Sequence, residues 1–63
     1  MYYIKNKIKF KSQVKAAEEI GIAKETLSRI LNRKVGTTKM TANCIVKCFD
    51  KEAKIEEYFE KGE

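Results

Sequence analysis

The residues best equipped for chemistry lie in a six-residue stretch, where Lys24, Glu25, Ser28 and Arg29 recur at the spacing that keeps side chains on one exposed side of a helix. A guanidinium is a rigid fork of donors that fits two neighbouring planar acceptors. A lysine donates to the same kind of atom, and a glutamate accepts or orients an arginine four residues on. Glu25 also suits a helix's first turn without any further task. This is the chemistry of recognition rather than of bond-making. Histidine is missing, no Gly-rich phosphate loop follows a strand, and no acid pair sits in a pocket-forming context. Enzymatic activity is therefore not expected. Cys44 and Cys48, with no histidine to join them, fall short of the four ligands structural zinc takes. Their apolar neighbours Ile45, Val46 and Phe49 lead to the expectation of packed free thiols, with no metal, no intramolecular disulfide and no cofactor.

Charge is distributed unevenly around this stretch. The chain carries a formal +5 over 63 residues. Residues 1–39 hold ten cationic side chains against three acidic ones, whereas residues 40–63 hold four against six. The pattern predicts a basic face turned to a polyanion and an acidic side turned elsewhere, although a Lys-rich solvated surface would give the same count. With 43% apolar and 37% charged residues, the composition is that of a folding globular domain, and 63 residues hold one domain with a small core. No run approaches the ~20 apolar residues of a membrane span, and MYYIKNKIKFK does not resemble a signal peptide. A cytoplasmic protein is expected, with neither a membrane partner nor a small-molecule ligand.

Proline is absent, and Gly21, Gly36 and Gly62 interrupt the apolar pattern. Val14, Ala16, Ala17 and Ile20 recur at helical spacing behind a capping Ser12 and predict a first helix ending at Gly21. Leu27, Ile30 and Leu31 form the apolar side of a second helix, opposite Lys24, Glu25, Ser28, Arg29 and Asn32. Gly36, Thr37 and Thr38 make a break and a cap. Met40, Ala42, Ile45, Val46 and Phe49 then describe a third stripe, and a last short helix carries Ile55, Tyr58 and Phe59. Residues 1–11 read two ways: Ile4 and Ile8 fit a short helix, which is preferred, while YYIKNKIKF is also rich in β-favouring residues. No second convincing strand is evident. Tyr2 and Tyr3 have no assigned role.

The Gly-Ile-Ala connection between the first two helices is too short for an antiparallel pair, so they must cross steeply. Ala17, four residues before Gly21, leaves room at the crossing, and Gly21 can adopt φ > 0. Ile20, Ile22, Leu27 and Ile30 fill the angle. With Gln13 at the start and Asn32 at the end, SQVKAAEEIGIAKETLSRILNRK resembles the helix-turn-helix of the phage Cro and lysogeny-repressor (Xre-like) family, and TTKMTANCIVKCFDKEAKIEEYF resembles the two helices that follow in that family. One departure is Ala23, which stands where many members place a capping Ser or Thr, a loss typically of ~1 kcal/mol. An Ile22–Leu27 staple offsets part of it.

The resemblance implies an all-α, lambda-repressor-like bundle of four to five helices spanning residues 1–63. It implies a transcriptional regulator, a repressor of phage or mobile-element type, that binds duplex DNA through the major groove, as a homodimer on a two-fold operator. Lys24, Glu25, Ser28 and Arg29 then face base edges, with Arg29 forking onto guanine O6 and N7. Gln13, Asn32, Arg33, Lys34, Thr38 and Lys39 contact phosphates. The competing expectation is a helix-turn-helix used as a protein-interaction module on a larger repressor or polymerase. Such a module would expose apolar or aromatic anchors where this sequence has Lys24, Ser28, Arg29 and Asn32.

Overall fold

The computed structural model describes residues 1–62. Each of the three longer helices begins and ends at residues with a physical reason to stand there. Helix α1 (Gln13–Ile20) starts where the Ser12 hydroxyl accepts the Lys15 amide at 3.3 Å. It stops at Gly21, whose φ of 91° lies in the left-handed region. The amides of Gly21 and Ile22 both donate to the Ala17 carbonyl there, at 2.8 and 3.0 Å. Three residues later α2 (Lys24–Leu31) begins behind Ala23, which offers no side-chain cap; Glu25 in the first turn supplies negative charge to the helix N-terminus instead. Helix α3 (Lys39–Phe49) is capped by Thr38, whose hydroxyl oxygen accepts the Thr41 amide at 3.3 Å.

The core is built from small residues on α1 and branched ones on α2 and α3. Ala16 and Ala17 are buried, so α1 can lie close against both neighbours. Leu27 and Ile30 of α2, and Ala42, Ile45 and Val46 of α3, meet them with essentially no exposure. Ile20 and Ile22 are half-buried at the α1–α2 corner. The apolar stripes are narrower than their periodicity implies. Val14 is 49% exposed and Met40 78% exposed, because each sits on the flank of its helix with no element packed over it. Phe49, expected in the core, lies at its rim: it is 39% exposed, and its ring meets those of Phe10 and Tyr58 edge-on at 5.9 and 5.6 Å.

The two ends of the described chain depart most from the expected all-α bundle. Residues 2–4 form a strand, β1 (Tyr2–Ile4), and not a short helix. The last helix, α4 (Ile55–Tyr58), is a single turn, after which Phe59 goes extended (φ −127°, ψ 150°) and opens β2 (Phe59–Lys61). β1 and β2 pair antiparallel with Tyr2 opposite Lys61, Tyr3 opposite Glu60 and Ile4 opposite Phe59. On its other edge β1 exchanges two hydrogen bonds with Thr37, Tyr2 amide to Thr37 carbonyl at 2.7 Å and the reverse at 2.8 Å. The physical reason is burial. Ile4 and Phe59 face each other at the inner end of the ladder and are both buried against the helical core.

The described residues form a compact fold of four helices and one two-stranded sheet, 29 × 25 × 18 Å, with α1, α2 and α3 around the core and the sheet closing one side. Among the described residues, no helix is long and apolar enough to cross a membrane.

Candidate nucleic-acid interface

Helix α2 puts Leu27 and Ile30 inward, and at 3.6 residues per turn Lys24, Ser28, Glu25 and Arg29 then span an arc of about 140° on the opposite side. Lys24, Glu25 and Arg29 are exposed and Ser28 is half-buried. The Asn32 side-chain amide donates to the Ser28 hydroxyl at 3.4 Å, one turn along, and so orients it. Among the described residues, Arg29 and Glu25 form no ion pair with each other or with any other side chain. The guanidinium fork is left facing outward with its donors uncommitted.

The residues expected to touch phosphates are spread over three elements. Gln13 is the exposed first residue of α1. Thr38 and Lys39 stand at the start of α3, Thr38 with its hydroxyl engaged in capping and Lys39 exposed. Asn32, Arg33 and Lys34 follow α2 and are all exposed, but of the three only Arg33 is bonded to the sheet.

Arg33 behaves differently from its neighbours. It adopts φ 58°, the left-handed region, and carries no glycine's freedom to do so. Its own amide donates to Ile30 and that of Lys34 to Arg29, at 3.1 and 2.9 Å, which closes α2 as a Schellman turn. The side chain then swings to the sheet: Nη1 donates to the Ile4 carbonyl at 2.5 Å and pairs with Glu60 Oε2 at 2.8 Å, while the guanidinium lies 5.6 Å from the centre of the Tyr3 ring. Tyr3 in turn lies against Gly36 and Gly62; a Cβ at Gly36 would come within 2.8 Å of Tyr3 Cζ. The role of Tyr3, unassigned from sequence, is to fill this slot. Nothing in the spacing around Arg33 announces that it binds the sheet, because its partners Ile4 and Glu60 are 29 and 27 positions away in sequence.

Both cysteines are free, but the expectation of two packed thiols holds only for Cys48, which is partly packed; Cys44, one turn earlier on α3, is exposed. The Cys48 thiol donates to Glu19 Oε2 at 3.2 Å across the α1–α3 interface. Burial chiefly, then the hydrogen bond and charge of Glu19, push this thiol above its ordinary value and keep it protonated near neutrality. Comparisons with protein-family models, with curated proteins and with solved structures give no match.

Proposed function

We propose that the chain is a sequence-specific duplex-DNA-binding regulator, of repressor type, in which α1, the Gly21 corner and α2 act as a helix-turn-helix of the kind found in Cro and lysogeny repressors. The observation that carries this reading is the exposed arc of α2, where Lys24 and the uncommitted Arg29 guanidinium stand opposite the buried Leu27 and Ile30. Supporting it are the three-residue connection with Gly21 at positive φ and the buried Ala17, which lets the two helices approach. In this reading α2 enters the major groove, Arg29 reads a guanine, Lys24, Glu25 and oriented Ser28 sample neighbouring pairs, and Gln13, Asn32, Lys34, Thr38 and Lys39 hold phosphates. Binding as a homodimer on a two-fold site, and action in the cytoplasm, belong to the same proposal.

Arg33 takes a different place from the one its sequence position suggests. It is already bonded to Ile4 and Glu60, so it positions the end of α2 and, of the three residues that follow that helix, leaves the phosphate contacts to Asn32 and Lys34.

Selection of bound duplexes from a random pool at a stated salt concentration tests the proposal directly. An enriched half-site is expected. Arg29→Ala should then relax preference at one base pair by ~1–3 kcal/mol, whereas Lys34→Ala should weaken all duplexes alike and lower the slope of log affinity against log salt by about one unit. The competing reading, a module docking on a larger repressor or polymerase, is favoured by one observation, the 78% exposure of Met40 on α3. An unenriched pool, with Arg29→Ala folded and indistinguishable from the parent, would move the weight to that surface.

A further inference from the structure

We infer that the cleft between the β1 exit and the end of α2 is a seat for one backbone phosphodiester of the duplex, a site that rests on the DNA-binding reading above and adds a second element to it. The cleft has a volume of about 260 Å³ and is lined by Ile4, Lys5, Asn6 and Lys7 on one side and by Leu31, Asn32 and Arg33 on the other. Its apolar floor is Ile4 and Leu31, and its rim is cationic.

The rim is held in place rather than draped over the surface. The Lys5 amide donates to the Tyr58 carbonyl at 2.8 Å, the Asn6 amide reaches the same oxygen at 3.4 Å, and the Asn6 side-chain amide donates to the Glu57 carbonyl at 2.5 Å. The backbone that carries Lys5 and Lys7 is thus tied to the end of α4, while both lysine side chains stay exposed and, among the described residues, have no ion-pair partner. Opposite them, Arg33 is neutralised by Glu60, so the charge offered to a ligand comes from the two lysines, with the Asn32 side chain as a polar neighbour. Two flexible ammonium groups beside a neutral hydrogen-bonding amide suit a singly charged phosphodiester oxygen, which is bound as a point charge, better than a planar carboxylate that calls for a bidentate fork. The cleft adjoins Leu31, the last residue of the helix proposed to read the groove, and its cap Asn32, and this adjacency is what assigns it to a strand bordering that groove.

The test compares three proteins on the selected duplex over a range of salt concentrations, each checked for native helical circular dichroism: the parent, Lys5→Gln/Lys7→Gln, and Lys51→Gln/Lys54→Gln, which removes the same net charge outside the cleft. The cleft variant should lose up to two units of the salt slope while keeping the parent's base preference, and the control should lose less than half a unit. In the parent, amide resonances of residues 5–7 and 31–33 should shift on titration with the duplex. Equal slopes for the cleft and control variants would overturn the proposal, as would saturation of these resonances by sub-millimolar inorganic phosphate with no change in duplex binding, which would make this a free-phosphate pocket. If the cleft fails in this way while the parent still selects a half-site, the reading of α2 stands alone; a parent that binds no duplex removes both.

Discussion

Helices α1 and α2 both end on a residue in the left-handed region, and they solve the same backbone problem by opposite means. At the end of α1 the position is Gly21, which has no Cβ to clash and nothing within 4 Å of where one would be. At the end of α2 it is Arg33, which bears the steric cost of positive φ, on the order of 1 kcal/mol, and offsets it with bonds to Ile4, Glu60 and Tyr3. The first corner is set by local conformational freedom. The second is set by a tertiary contact, and it is this contact that joins the helical part of the molecule to the sheet.

The comparison breaks most visibly at Arg33. Arg33→Ala keeps the unfavourable φ and removes a charge-assisted hydrogen bond to a part-buried carbonyl together with the stacking on Tyr3, so a loss of about 2–3 kcal/mol is expected by urea denaturation. For a domain this small each kcal/mol lowers Tm by roughly 4–8 °C. Arg33→Gly removes the same contacts but relieves the backbone, and should recover about 1 kcal/mol of that loss. If Ala and Gly prove equal at this position, the left-handed strain is not part of its energetics.

Gly21→Ala comes next, with an expected cost of about 1–2 kcal/mol arising from the backbone alone, since the space around it is open. The mirror exchange Gly21→Arg should be no better than Gly21→Ala, because it adds the same Cβ at positive φ and nothing lies within 4 Å of that Cβ to hold it. A smaller effect is expected for Glu60→Gln: its ion pair with Arg33 is about half-exposed, and such pairs contribute ~0.2–1 kcal/mol that fades with salt. Thermal unfolding of parent and variant at low and high salt should converge.

The smallest effect is at Cys48, away from both corners. Its folded-state value is raised above the ordinary one, so the folded chain holds that proton more tightly than the unfolded chain does. The associated stability is fully present below the ordinary thiol value and is lost as pH climbs through the raised one. Denaturation at increasing pH from 8 upward should show a decline in the parent that Cys48→Ser lacks and Cys44→Ser retains.

These two corners also mark where the sequence is informative. Gly21 is legible because glycine between two periodic segments has few other uses, and the caps at Ser12 and Thr38 are legible because an oxygen precedes an apolar stripe. Those features predict the bounds of α1, α2 and α3, and the spacing of Lys24, Glu25, Ser28 and Arg29 predicts their shared face. Arg33 is opaque because a non-glycine at positive φ is chosen by its distant partners. The sheet is opaque for a related reason: a three-residue strand such as Tyr2–Ile4 is too short to show alternation, and its partner Phe59–Lys61 lies near the other end of the chain. Periodicity also gives the direction of an apolar stripe and not its width, which is why Met40 and Phe49 fall outside the core.

Pairing Ile4 with Phe59 closes a loop of more than fifty residues, whereas the α1–α2 corner closes within a few. Contacts at such separation cost the most chain entropy before they return any stability, so the helical part should organise first and the sheet should zip onto it afterwards. In kinetic terms the Arg33 latch governs escape from the native state and has little part in reaching it. Stopped-flow measurements should therefore find that Arg33→Ala accelerates unfolding with a nearly unchanged folding rate, while Leu27→Ala, in the helical nucleus, slows folding itself.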